Sequence, residues 1–208
     1  AVPWKVLTRA GHRVLFAPER GGAPPACDPL LLTGVLFGKL GAAPEAIAFY
    51  REMEQAPSFR APVAWTSLDP SAYDGLLLPG GHAPGMKQYL GSETLQRKVA
   101  EFWALGRPVG AICHGVLVLA RAQDPRTGRS VLHDRRTTCL PEYMERLAHA
   151  LTFWKLGDYY RTYPRTVEDE VRAALANAGQ QFARGPWTLS ARGTDRDDGP
   201  AFVVEDLD

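Results

Sequence analysis

The chain has 208 residues, of which 45% are hydrophobic, enough to bury one substantial core and short for two full domains. Its 24 Lys and Arg nearly balance 23 Asp and Glu, a formal net charge of +1, which gives no electrostatic ground for nucleic acid or an anionic membrane as partner. No apolar run approaches the ~20 residues that span a bilayer, and the opening AVPWKVL lacks the basic flank and long apolar stretch of a signal peptide. Cys27, Cys113 and Cys139 are few and far apart, so a disulfide framework is not expected and the reading is a cytoplasmic chain.

In chain order, Val2 to Arg9 reads as a short helix, stopped by Gly11, and residues 12–17 (HRVLFA) as a buried strand. Residues 18–29 are too rich in Pro and Gly for regular structure. Leu30 to Gln55 has helical spacing broken by glycines and Pro44, which predicts two pieces, and Val63 to Ser67 suits a short strand. Asp74 to Leu78 is an apolar run ending in Pro79-Gly80-Gly81, the form of a parallel strand delivering its end into a loop. Ser92 caps a predicted helix to about Leu105, whose apolar stripe is Leu95, Val99 and Phe102. Val109 to Ile112 is a further strand, followed by Cys113 and a helix from His114 to about Ala122. Asp124 to Gly128 is a polar turn, residues 137–139 suit a short strand, and Glu142 to Lys155 is helical. Thr166 caps another helix to Ala178, and strands are predicted at Trp187–Ser190 and Ala201–Glu205. Strands alternating with helices indicate an α/β fold, a mainly parallel sheet flanked by helices on both faces in the manner of a flavodoxin-like three-layer sandwich, within a single domain over 1–208. The five tryptophans are read as core or subcore aromatics.

The chemistry concentrates at Val109-Gly110-Ala111-Ile112-Cys113-His114-Gly115. A thiol between a buried strand and a helix, with Ala111 two residues before it and Gly115 two after, follows the logic of a nucleophile elbow. The helix N-terminus is expected to favour the thiolate and lower the Cys113 pKa from its ordinary value of about 8.5. Leu78-Pro79-Gly80-Gly81-His82 offers paired glycines after a strand, where backbone N–H groups can point at a ligand oxygen. His12, His82, His133 and His149 show no clustered Cys/His spacing of a zinc site, so neither metal nor cofactor is expected. The run Asp158 to Tyr163 suits a pocket lining, a dimer face or an ordered surface turn.

LLLPGGHAPG followed by VGAICHG resembles the PfpI/ThiJ superfamily, relatives of the class I glutamine amidotransferases. With GGAPPACDP and the Cys-His pair, it is most similar to the heat-shock chaperone and glyoxalase III branch. The resemblance implies Cys113 as nucleophile, His114 as the adjacent triad histidine, and Gly80, Gly81 and the His114 backbone at oxyanion positions; His82, next in the chain, suits either a substrate-binding role pointing into the pocket or a cap on the loop after Gly81. It implies an acidic third member after a short strand, for which Glu142 fits, with Asp158 in reserve. Family members begin with a central strand and a glutamate that bonds the nucleophilic sulfur, whereas this sequence starts at the following helix; Glu19 does not match that motif. A chain lacking the first strand and last helix is therefore expected to be trimmed at both ends.

The implied activity is a cofactor-independent cysteine enzyme on small carbonyl compounds, a glyoxalase III-like or related hydrolase or lyase, in a homodimer without nucleic acid or membrane partners. The alternative is a non-enzymatic stress-response holdase or redox sensor, which would tolerate Cys113→Ala. Glutamine amidotransferase activity fits less well, because those domains place the triad histidine and acid far downstream of the cysteine.

Overall fold

The computed structural model describes residues 1–35 and 41–184, and the strands expected at 187–190 and 201–205 lie outside them. The described residues divide into two compact units, 1–68 and 69–184.

In the first unit α1 (Val2–Arg9) packs on α3 (Pro44–Met53), and Lys5 Nζ meets Glu52 Oε1 at 2.5 Å. The two predicted helical pieces are α2 (Pro29–Thr33), capped by the Asp28 carboxylate, and α3, which starts on Pro44. Phe49, Met53, Phe59 of α4 (Pro57–Arg60) and Trp65 are buried. Phe16 packs edge-on against Phe59 with centroids 5.0 Å apart, and the Trp65 indole N–H donates to Ala17 O at 2.7 Å. Two expected strands are corrected here. Residues 12–17 are extended but form no strand, and Leu15 is 39% exposed. Their neighbour is the segment 63–65, reached through Val63 N–H to Phe16 O and Trp65 N–H to Pro18 O. That segment leaves extended geometry at once, because Trp65–Ser67 is a 3-10 turn rather than a strand. Two bonds do not make a ladder.

The second unit holds the sheet. β1 (Leu76–Leu78) pairs in parallel with β2 (Val109–Ala111), Leu78 opposite Ala111, and Ile112 N–H extends the ladder to Leu78 O at 3.0 Å. These are the two strands of the sheet among the described residues. Between them run α5 (Met86–Leu90) and α6 (Glu93–Trp103); as expected, Ser92 Oγ accepts the Leu95 N–H and Leu95, Val99 and Phe102 are buried. After β2, a 3-10 turn at Cys113–Gly115 leads into α7 (Val116–Arg121), whose first four residues are buried against α6 and α9 (Val167–Ala174). Arg121 fixes this packing. Its guanidinium forks onto Glu170 (Nε–Oε1 2.5 Å, Nη2–Oε2 2.9 Å), donates to Leu90 O, and lies 4.4 Å from the Tyr163 ring centroid.

The strand expected at 137–139 is only a single bridge, Thr137 to Phe182, just beyond the short α10 (Ala178–Gln181). Helix α8 (Glu142–Leu156) matches its predicted span. It and α9 exchange carboxylates at their N-termini: Glu145 Oε2 accepts the Val167 N–H and Glu168 Oε2 accepts the Glu142 N–H, both at 3.0 Å. Each buried acid thus satisfies a donor that its neighbour's first turn leaves open. Trp154 departs from the expected core role, being 67% exposed on α8.

Candidate active site

Leu78 and Ile112 end adjacent parallel strands, so the chain leaves both at the same edge of the sheet. The β2 exit turns so sharply that Cys113 takes φ +79°, the one non-glycine residue with positive φ among the described residues. Such a conformation costs about 1–3 kcal/mol and persists where its surroundings enforce it. Here they do. A Cβ on Gly115 would lie 2.4 Å from Leu78 O, and one on Gly80 would lie 2.3 Å from Ile112 O and 2.5 Å from Cys113 Cβ. The glycines after β1 and after the thiol are therefore the contact surfaces of the two turns.

His114 is 1% exposed, and its Nδ1 lies 3.6 Å from Cys113 Sγ. Its Nε2 lies 3.9 Å from Glu145 Oε1, with both side chains buried. The structure does not bring Glu142 to the histidine. That carboxylate pairs with Arg146 at 2.6 Å and lines a surface cavity with Tyr143, Arg146 and Arg184. Asp158 does not reach the site either; it accepts from His149 Nε2 at 3.0 Å on the surface. The acid facing His114 is thus Glu145, one turn further along α8.

His82 stands over this pair with its ring centroid 4.4 Å from that of His114. Tyr160 packs edge-on to His82 at 4.8 Å and Tyr159 lies beyond it at 6.5 Å, so the tyrosine run does line the site. Gly81 carries His82, and a Cβ on Gly81 would touch Met86 Sδ at 3.4 Å.

Burial dominates the electrostatics, and it reverses the expected direction at the thiol. Burial pushes Cys113 up to about 11, outweighing the backbone hydrogen bond at His114 that favours the thiolate. Burial drives His114 down to about 3, assisted by His82, and His82 down to about 4. The Glu145 carboxyl is raised, again by burial first. Each pK step is worth about 1.4 kcal/mol, so the resting pair is a thiol beside a neutral imidazole, not a stored thiolate–imidazolium. Cys139 is buried and Cys27 half-buried.

The family profile described as ThiJ/PfpI family-like matches residues 1–186. The chain belongs to the ThiJ/PfpI family. Protein DJ-1 homolog D of Arabidopsis thaliana is 41% identical over 73 residues, a match that covers 35% of this chain and 18% of the plant protein. A deglycase of Pyrococcus abyssi is 26% identical over 152 residues, 73% of this chain and 70% of its own length. The solved structure of glyoxalase III from Candida albicans superposes with a TM-score of 0.59 at 17% identity, covering 95% of this chain and 72% of that one. The fold is accordingly the family's flavodoxin-like α/β sandwich, to which the described residues contribute β1, β2 and the helices packed around them.

Proposed function

We propose that the chain is a cofactor-independent cysteine enzyme acting on small carbonyl compounds through glyoxalase III-like or related hydrolase or lyase chemistry. The observation that carries this reading is Cys113 itself, held at φ +79° between two glycine-constrained turns with an imidazole nitrogen 3.6 Å from its sulfur. A protein that merely buried a cysteine would gain nothing from that strain. The similarity to a named deglycase supports carbonyl chemistry for the site.

In this reading the Cys113 thiol adds to an aldehyde carbon. An S–C bond forms, the carbonyl π bond breaks, and the thiol proton passes by way of His114 to the carbonyl oxygen. The N–H groups of Gly81 and His114 hold the developing oxyanion, with Gly80 making room for the close approach. Because the thiol is neutral at rest, proton removal accompanies addition. For a 2-oxoaldehyde, His114 then moves the proton from the former aldehyde carbon to the neighbouring carbonyl carbon, while the hydroxyl proton on the first oxygen passes to the second. One carbon is oxidised as the other is reduced, and water releases the resulting thioester as a hydroxy acid. Glu145 stabilises the charge that His114 carries in passing. His82 and the tyrosines close the site over the substrate.

The test is consumption of methylglyoxal and other small carbonyls by purified protein without added cofactor, followed by product analysis. Formation of lactate supports the reading, and inertness toward the whole set contradicts it. One observation favours the holdase reading: Leu147, Leu151, Phe153 and Trp154 of α8 are 39–67% exposed, an apolar surface of the kind that captures unfolded chains. Suppression of aggregation that survives Cys113→Ala would select it.

A further inference from the structure

We propose that His82, Cys113 and His114 form a binding site for a thiophilic divalent cation of the zinc class, whose occupancy masks the thiol. Their positions in the chain show no zinc spacing, yet the fold places Cys113 Sγ and one ring nitrogen of each histidine within 4.8 Å of one another. In tetrahedral zinc, bonds of about 2.3 Å to sulfur and 2.0–2.1 Å to nitrogen put neighbouring ligands some 3.3–3.7 Å apart. The Cys113–His114 edge already has that length, at 3.6 Å. The remaining edges, both of which involve the half-buried His82, need to close by up to about 1.5 Å, which a rotation of its ring would supply.

A second observation is independent of these distances. His82 Nδ1 and His114 Nε2 are both buried without a hydrogen-bond partner. A buried imidazole nitrogen without a partner is costly, and a cation on His82 Nδ1 would repair the first of these losses directly. With Nδ1 of His114 on the metal, its Nε2–H would point to Glu145 Oε1, now 3.9 Å away, giving the carboxylate–histidine–metal relay that orients metal-bound imidazoles. Two nitrogens and one sulfur with no carboxylate in the set select a borderline-soft ion over magnesium or calcium. The fourth position remains for water or a substrate oxygen. On binding, the thiol releases its proton to solvent as the sulfur–metal bond forms, and no oxidation state changes.

This inference uses the same thiol as the proposed enzyme but rests on its geometry alone, so the two can fail separately. The probe is Co²⁺, titrated into the full reduced chain. The expected result is a thiolate-to-cobalt charge-transfer band in the near ultraviolet with tetrahedral visible bands, lost in Cys113→Ser and displaced by Zn²⁺. Affinity should fall at least tenfold in His82→Gln and in His82→Asn, each checked for folding by circular dichroism. Saturating Zn²⁺ should also slow iodoacetamide labelling of Cys113 at least tenfold in the unmodified chain, reversibly with EDTA, while Cys27 labels at an unchanged rate. Absence of the charge-transfer band, full affinity in folded His82 variants, or unprotected Cys113 would each overturn the proposal. Cobalt binding without carbonyl turnover would overturn the enzyme reading alone.

Discussion

Cys113 holds a backbone conformation that side-chain-bearing residues rarely adopt, and the cause lies in its neighbours. Gly115 meets the carbonyl oxygens of Leu78 and Pro79, which cannot swing aside as a side chain would. Gly115→Ala is therefore expected to destabilise the protein by about 1–3 kcal/mol, read from the urea midpoint. Gly85, with nothing within 4 Å of an added Cβ and φ −63°, is the control, and Gly85→Ala should stay within about 0.5 kcal/mol. The buried thiol makes a second prediction. With its pKa pushed up to about 11, iodoacetamide labelling of Cys113 should rise about tenfold per pH unit from pH 7 to 9 without levelling. A plateau below pH 8 would restore the dipole-stabilised thiolate expected from the helix N-terminus. That expectation was open to sequence reasoning, because the strand–Cys–helix order is legible in VGAICHG; the depth at which the sulfur sits is not.

At the scale of elements, the crossed carboxylates of α8 and α9 decide which acid faces the site. Once Glu168 takes the Glu142 N–H and Glu145 takes the Val167 N–H, the rotation of α8 is set, and Glu145 rather than Glu142 faces His114. Glu145→Gln should retain the cap, since an amide oxygen still accepts the Val167 N–H, while losing the charge beside the imidazole. It is expected to lower carbonyl turnover about tenfold or more, a loss at least fivefold greater than that of Glu142→Gln, with little change in thermal midpoint. Equal effects would remove Glu145 from the mechanism. The helix itself was readable from its spacing. Its rotation depends on a partner helix distant in sequence, so a one-turn choice between Glu142 and Glu145 was not. The same limit explains residues 12–17, whose apolar run promised a buried strand but whose neighbour turns away at Trp65 after two bonds.

For the whole molecule, the two buried histidines tie stability to pH. Both have folded values below the ordinary 6.5, about 3 for His114 and about 4 for His82. Their contribution is fully present above pH 6.5 and is lost as pH falls through the folded values, because the unfolded chain takes up the protons first. The slope is at most about 1.4 kcal/mol per pH unit for each histidine. Glu145, raised by burial, acts in the opposite sense as pH falls through the carboxylate range. Urea midpoints should therefore decline from pH 7 to 4.5, and His114→Asn should flatten that decline. The family, the parallel strand pair and the Cys–His–Gly-Gly core of the site were legible because short motifs bind backbone geometry to residue size. The exposed Trp154 was not, since aromatic content alone does not say which face of α8 is covered. Among the described residues no helix is long and apolar enough to cross a membrane.

The central claim is that Cys113 performs covalent chemistry on a carbonyl carbon, and its most direct test is kcat/KM for methylglyoxal in the unmodified chain and in Cys113→Ser. The account predicts measurable lactate formation that falls at least about a hundredfold in the variant, with an unchanged circular dichroism spectrum. Turnover of equal size in folded Cys113→Ser, or none in either protein, would contradict it.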